Sequence, residues 1–387
     1  MLKANTGSSI HACPNTAGKE AALAAKQGLE NVKLAFTYAS CAYDLDAMLA
    51  GIAEEMPGIP IIGNTSFTGV ITPEGYITGA DGFVGMMALD DSEIEIGVAA
   101  VEKGECAIAD GKMVAKKAME AAGKKVAPTY FYMVASPAQE EFYLKGITEV
   151  IGRVPFFGGS AADNSISGEW KLFTDKGSFA DGVAVAFFYS KEVIANQYTG
   201  AYHETKDRGI ITKVNNNRTL VEIDGEPALK KYAAWRGMDV ESLKGGALLA
   251  EAVLSPLGVK DRLGDLVAIR HPMNGNDDYS MAIGNQLAEG TAVIRMEATV
   301  DELIDSTGEQ LRELKANMPK AGAYHLVHCG GRRAGIDSRI DEVAEQIIKE
   351  ADGVPFIVEF TFGEYGYVQD GCNTCGGLML SFTGMPK

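Results

Sequence analysis

The densest run of chemically capable side chains is His325-Leu326-Val327-His328-Cys329-Gly330-Gly331-Arg332-Arg333. On a strand His325 and His328 point to opposite faces, so the two cannot hold one metal ion together. Arg332 and Arg333 present planar forks suited to a ligand carboxylate, with a solvated pair serving Asp337 or Asp341 as the competing role. A second feature is Cys372-Asn373-Thr374-Cys375. With Cys329 and a histidine these thiols could complete a zinc or iron-sulfur site, or act as a redox dithiol. No second cysteine pair accompanies them, and Gly371, Gly376 and Gly377 do not make a helix start that would lower a thiol pKa, which leaves two incidental loop or core cysteines as the other reading. None of His11, His203, His271, His325 and His328 stands in a Cys-x-x-Cys-His haem attachment site; His203 and His271, flanked by loops, are the candidates for an axial ligand. No nucleophile, base and orienter come together in the sequence, so the chain reads as a binding protein more than an enzyme.

Small polar residues also recur at matching places. Cys41 precedes Pro60 by 19 residues, Ser136 precedes Pro155 by 19, and each follows an apolar strand, with Cys329 as a third counterpart. The carboxyl ends of strands are where α/β layers leave crevices for ligands, although such positions also start plain turns. Gly158-Gly159-Ser160-Ala161-Ala162-Asp163 offers unshielded backbone N–H groups that could cradle an anion, with Ser160 and Asp163 at its edges; glycine pairs also make ordinary bulges. Neither a Walker sequence nor a strand-placed Gly-x-Gly-x-x-Gly is present, which argues against a nucleotide.

The elements that must position these groups repeat. Helices are predicted over residues 15–29 and 44–56, the first followed by a strand at 32–38 and the second by the apolar segment 59–63 and strands at 83–89 and 94–101. The order returns as a helix at 107–122, a strand at 130–135, a helix at 139–151, the Pro155 segment, and strands at 170–173, 183–189 and 193–199. A third instance runs through a helix at 300–318, a strand at 324–329, a helix at 340–351, Gly353-Val354-Pro355-Phe356-Ile357 and a strand at 378–383. Residues 203–209 read as a polar crossover, with the main boundary near residue 215. The expected class is α+β, with duplicated lobes of mixed, largely antiparallel sheets and flanking helices, because the strands after each proline segment lie close enough to form hairpins.

Composition excludes several functions. The 387 residues are 46% hydrophobic and 22% charged, as in soluble globular proteins. A net charge of −17 repels nucleic-acid phosphate and anionic membrane faces. No apolar run approaches the roughly 20 residues of a membrane span. The start of the sequence lacks a signal-like apolar run, and six cysteines are too few for a disulfide scaffold, so a cytoplasmic location is expected.

The segment Pro60-Ile61-Ile62-Gly63-Asn64-Thr65-Ser66-Phe67-Thr68-Gly69 through Tyr76, with Pro155-Phe156-Phe157-Gly158-Gly159-Ser160, resembles the FIST N domain. Ile223-Asp224-Gly225-Glu226-Pro227, Cys329-Gly330-Gly331-Arg332 and Phe360-Thr361-Phe362-Gly363-Glu364 resemble successive parts of the FIST C domain. The resemblance implies a FIST N-like domain at 15–215, internally duplicated at about 15–101 and 106–199, and a FIST C-like domain at 216–387. It also implies a sensory or regulatory module for a small ligand, with amino acids proposed for many members and haem for some. No output domain is attached, so a separate protein partner is expected to carry the signal. Asn64 stands where the family often has a cysteine, and Cys372–Cys375 where a His/Asn/Thr-rich segment is usual. The expected ligand is an amino acid or other small carboxylate, lined by Cys41, Asn64, Thr65, Ser136, Gly158, Gly159, Ser160, Asp163, Cys329, Arg332 and Glu364. The sequence calls for no cofactor; haem or a metal, held by a histidine or by Cys329, Cys372 and Cys375, is the alternative.

Overall fold

A computed structural model describes residues 1–260, 267–367 and 373–387. Three lobes repeat one order of elements. Lobe 1 comprises β1 (Lys3–Ser9), α1 (Pro14–Ala25), β2 (Val32–Ala39), α2 (Leu45–Glu55), β3 (Ile61–Thr65), a hairpin of β4 (Val70–Thr72) and β5 (Gly75–Ile77), and β6 (Val84–Asp90). Lobe 2 comprises β7 (Glu95–Glu102), α3 (Ala107–Ala121), β8 (Tyr130–Ala135), α4 (Glu140–Ile151), β9 (Phe156–Ser160), the hairpin β10 (Leu172–Thr174) and β11 (Gly177–Phe179), and β12 (Gly182–Tyr189).

Lobe 3 opens with β13 (Ala195–Thr199) and is then interrupted by an insertion. The insertion holds β14 (His203–Asn215), β15 (Thr219–Ile223), β16 (Glu226–Pro227), α5 (Ala228–Arg236), α6 (Ala247–Glu251), β17 (Leu257–Lys260), β18 (Val267–Arg270), β19 (Pro272–Gly275), β20 (Met281–Ile283) and β21 (Ala292–Glu297). Lobe 3 resumes with α7 (Val300–Asn317), β22 (Ala321–Cys329), α8 (Gly330–Ile336), α9 (Ile340–Ala351), β23 (Phe356–Thr361), the hairpin β24 (Glu364–Tyr367) and β25 (Asn373–Gly376), and β26 (Leu380–Pro386). The protein is α+β, as the sequence predicts, with mixed sheets whose parallel ladders are β2–β3, β8–β9 and β22–β23.

Each six-stranded sheet is finished by another lobe. The lobe 2 hairpin pairs through β10 with β3, the lobe 3 hairpin through β24 with β9, and the lobe 1 hairpin through β4 with β23. Three backbone bonds repeat the cycle: Ala162 N–H donates to Thr65 O at 2.8 Å, Phe362 N–H to Ser160 O at 3.2 Å, and Phe67 N–H to Phe360 O at 2.9 Å. The lobes therefore stand in an approximate three-fold ring.

The strands are apolar on both faces because both are covered. Leu34, Phe36 and Tyr38 of β2 and Tyr130, Tyr132 and Val134 of β8 face the shared centre, while Ala35 and Ala39 pack under α1 and α2 and Phe131, Met133 and Ala135 under α3 and α4. At the centre the rings of Phe36, Tyr132 and His325 lie 4.8 to 5.2 Å apart. Glycines let the outer helices touch: a Cβ on Gly51 would stand 2.0 Å from Asn15 O, and one on Gly146 2.1 Å from Ile108 O.

Three elements differ from expectation. β1, Lys-Ala-Asn-Thr-Gly-Ser-Ser, has no apolar alternation, and it is a strand because β6 supplies its full ladder. β7, grouped in sequence with the first repeat, pairs instead with β12 in the sheet of lobe 2. The polar crossover at 203–209 opens the 13-residue strand β14, held by ladders to β21 and β15 on its two edges while most of its side chains stay in solvent.

Candidate functional site

The three lobes and the insertion meet around a cavity of about 710 Å³. Lobe 2 contributes Pro137, Ala138 and Glu140 around the start of α4, the insertion contributes α6 and β19–β20, and lobe 3 contributes Cys329 and the beginning of α8. Phe67, Trp170 and Phe362 supply an aromatic wall, with Phe67 and Phe362 centroids 5.9 Å apart and Trp170 edge-on to Phe362 at 6.3 Å. The remaining walls are largely aliphatic, so a few polar groups stand out.

Glu140 is 2% exposed and Asn285 is also 2% exposed. Arg218 Nη2 lies 3.2 Å from Glu140 Oε1 and is also bonded to Glu141, while Arg218 Nη1 donates to Gly284 O. Asn285 Nδ2 approaches Glu140 Oε1 at 3.4 Å. Glu140 Oε2 and Asn285 Oδ1 have no hydrogen-bond partner among the described residues. Burial first, and then the neighbouring Glu141 carboxylate, push the Glu140 carboxyl up from its ordinary range. His271 is held to Leu249 O at 2.9 Å, and burial lowers its pKa to about 4, so it is neutral. Cys329 Sγ accepts from Gly331 N–H at 3.2 Å and Leu378 N–H at 3.3 Å, and burial raises its pKa far above the ordinary thiol range. Such a cavity, apolar with a few buried polar atoms, has the make-up of a small-molecule site.

The sequence matches the FIST N domain over residues 33–226 and the FIST C domain over residues 228–367. The chain belongs to the FIST family. FIST domains are small-ligand sensory domains of signalling proteins. No curated protein matches this FIST chain. Among solved structures, a cyanuric acid hydrolase from A. caulinodans aligns at 10% identity and TM-score 0.37 over 100% of both chains. PurLQS from Thermotoga maritima aligns at 10% identity and TM-score 0.23 over 99% of this chain and 72% of that one. Nothing about activity follows from either likeness.

The residues singled out in this FIST sequence are scattered over the molecule and not gathered at one site. Cys329 lines the cavity. Glu364 lies behind it, fully buried, its carboxylate accepting from Thr361 Oγ1 at 2.9 Å and Met379 N–H at 2.8 Å, with burial raising its pKa to about 8. Asn64 is in the central core, where its Oδ1 faces the Tyr132 hydroxyl at 3.3 Å. That hydroxyl also donates to Glu359 Oε1 at 3.1 Å, Tyr38 reaches both Tyr132 and His325, and every member of the group is sealed from solvent.

Most of the others serve the framework of strands and loops. Thr65 Oγ1 exchanges bonds with Lys171, Ser136 Oγ accepts from Gly182 N–H at 3.1 Å, and Ser160 meets Tyr365 hydroxyl to hydroxyl at 2.6 Å. Gly158 lies with φ 136° against Met133 O, and Gly159 against Thr361. The Asp163 carboxylate accepts four N–H groups, from Ser165, Ser167, Gly168 and Glu169, and so shapes the loop that carries Ile166 and Ser167 over the cavity. Ladder register makes Ser40, not Cys41, the counterpart of Ser136 and Cys329: Ala39 pairs with Thr65, Ala135 with Ser160 and His328 with Phe360, each one residue earlier. The equal spacing of 19 is thrown off because the connection in lobe 1 is one residue longer.

Arg332 does not reach the cavity. It is fully buried, donating to Gly200 O at 2.7 Å, Leu303 O at 3.0 Å and Ser306 Oγ at 2.7 Å. Its neighbour Arg333 bonds Tyr76 and Asp337 O.

For a metal, no cluster of three His, Cys, Asp or Glu occurs among the described residues, and Cys372 lies outside them. For haem, His203 is exposed and bonded to Glu302, whereas His271 and Cys329 reach the cavity wall. His271 Nε2 is engaged by Leu249 O, and Cys329 Sγ accepts from the Gly331 and Leu378 N–H groups, so both side chains are held by backbone. Sequence reasoning missed Glu140, Arg218, Asn285 and the aromatic wall. An acidic pair, Glu140-Glu141, opening a helix whose other buried residues are apolar was the signal for the first.

Proposed function

We propose that this protein is a sensory module that takes a small molecule into the cavity between lobe 2, lobe 3 and the insertion, with a separate protein partner reading the bound state. The single observation that carries the reading is the cavity itself, about 710 Å³ with contributions from all three lobes and the insertion. A ligand there touches segments hundreds of residues apart in sequence, so its binding free energy stabilises their common arrangement, as a sensor requires. Amino acids and small carboxylates are the first classes to screen, on the family resemblance; Arg332 gives them no support because its guanidinium is spoken for inside the protein.

The test is a thermal-shift screen of amino acids, small carboxylates and small amines at millimolar concentration. A true ligand raises the melting temperature by several degrees. Ala250→Trp, at an exposed position on the cavity wall, abolishes that rise without lowering the melting temperature of the free protein. Flat curves across the screen, or a shift that survives Ala250→Trp, overturn the reading.

A further inference from the structure

The side-chain polar atoms left unpartnered in the cavity wall, among the described residues, are of one kind. Glu140 Oε2 and Asn285 Oδ1 are both acceptors, both on residues 2% exposed, and neither receives a hydrogen bond from the described residues. The one arginine in the wall, Arg218, is already engaged by Glu140, Glu141 and Gly284 O. His271 and Cys329 are likewise committed to backbone groups. Among the described residues a ligand carboxylate entering here would meet two unpartnered side-chain acceptors and no uncommitted cationic side chain, and would carry its charge next to the Glu140 carboxyl, a costly arrangement in a dry site.

A ligand whose head group donates N–H satisfies both acceptors at once. Phe67, Trp170 and Phe362 present aromatic surface that suits an apolar body and attracts an ammonium group. The net charge of −17 draws cations toward the molecule and repels anions. We infer that the cavity selects an organic ammonium ion, a protonated amine on an apolar body, through Glu140 and Asn285, and that a carboxylate is not required. This rests on the cavity being the ligand site and sharpens it to a chemical class.

The experiment compares matched head groups by calorimetry at pH 7: phenethylamine, phenylacetamide, phenylacetate and phenylalanine, and hexylamine, hexanamide and hexanoate. The amine of each series is expected to bind at least tenfold tighter than its carboxylate. Glu140→Gln should weaken amine binding about tenfold and leave the amide nearly unchanged, because only the amine uses the charge. Asn285→Ala should weaken amine and amide alike. Ala250→Trp should abolish all binding. If the carboxylates bind as well as the amines and Ala250→Trp abolishes them, the ammonium assignment is overturned while the cavity stands as the site. If nothing in either series binds, or binding is indifferent to Ala250→Trp, the assignment and the site both fall.

Discussion

Tyr38 of lobe 1 and Tyr132 of lobe 2 meet hydroxyl to hydroxyl, 3.1 Å apart, at the sealed centre where the three sheets converge. Around them stand Asn64, His325 and Glu359, so each lobe sends at least one polar side chain into an otherwise apolar core. The group fixes how the lobes sit against one another, because each hydrogen bond crosses a lobe boundary and breaking one leaves a buried polar atom unpaired. Tyr132→Phe removes the donor to Glu359 and Asn64 with little change of shape. It should cost about 1–3 kcal/mol in urea denaturation. Combined with Glu359→Gln, the loss should be clearly less than the sum of the single changes, since both act on one network.

Buried titratable groups set a pH profile. Burial raises Glu359 and Glu364 to about 8 from an ordinary 4.5, so between pH 4.5 and 8 the folded protein holds protons that the unfolded chain releases. Stability from these groups therefore falls as pH rises through that window. Burial lowers His325 and His328 to about 3 and His271 to about 4 from 6.5, so below pH 6.5 the unfolded chain takes up protons that the folded protein refuses. Stability from the histidines falls as pH drops below 6.5. The melting temperature should be highest between about pH 4.5 and 6.5 and decline toward pH 8.5. Glu359→Gln should flatten the alkaline decline, and an unchanged slope in that variant would show that Glu359 does not hold its proton.

Arg332 separates a structural role from a binding role. Arg332→Met keeps the apolar stem and leaves Gly200 O, Leu303 O and Ser306 Oγ without their donor. A loss of about 3 kcal/mol or more is expected from three buried groups unpaired together. Ligand affinity, measured where the variant is still folded, should stay within about twofold of wild type.

The helix pairs tolerate no added carbon at their crossings. Gly51→Ala puts a methyl 2.0 Å from Asn15 O, and Gly146→Ala 2.1 Å from Ile108 O, with backbone on the other side in both cases. Each should destabilise by about 1–3 kcal/mol by overpacking, against the usual gain for removing glycine from a helix. Gly123→Ala, in open space but at φ 66°, should destabilise for a different reason, backbone strain.

Much of the scaffold is legible in the sequence because burial on two faces writes long apolar runs into the strands, and amphipathic spacing with Pro-Gly stops marks the helices. The helix predicted at 107–122 is found at Ala107–Ala121, and the one at 340–351 at Ile340–Ala351. β1 and β14 escape because a neighbouring backbone, not their own side chains, makes them strands. The candidate site is harder to read. Cys329 is legible as a small polar residue at the end of a repeated strand, but Arg218 and Asn285 lie in the insertion, which repeats nowhere, and Glu140 reaches them across 78 and 145 residues of sequence. The repeat that reveals the lobes conceals what the unrepeated segment brings to them.

The exchanged hairpins bear on how this chain can be divided. A fragment ending near residue 226 would keep the sheet of lobe 1 whole, since β10 and β11 complete it. It would leave β9 without β24, β4 without β23, β13 without β26 and β14 without β21, exposing several unpaired strand edges on one piece of protein. Such edges recruit whatever strand is at hand, and the fitting ones belong to other copies of the same molecule. Two FIST domains that follow one another as separate words in the sequence thus complete one another's sheets, and truncation between them is expected to yield material prone to intertwined assembly instead of a smaller folded unit.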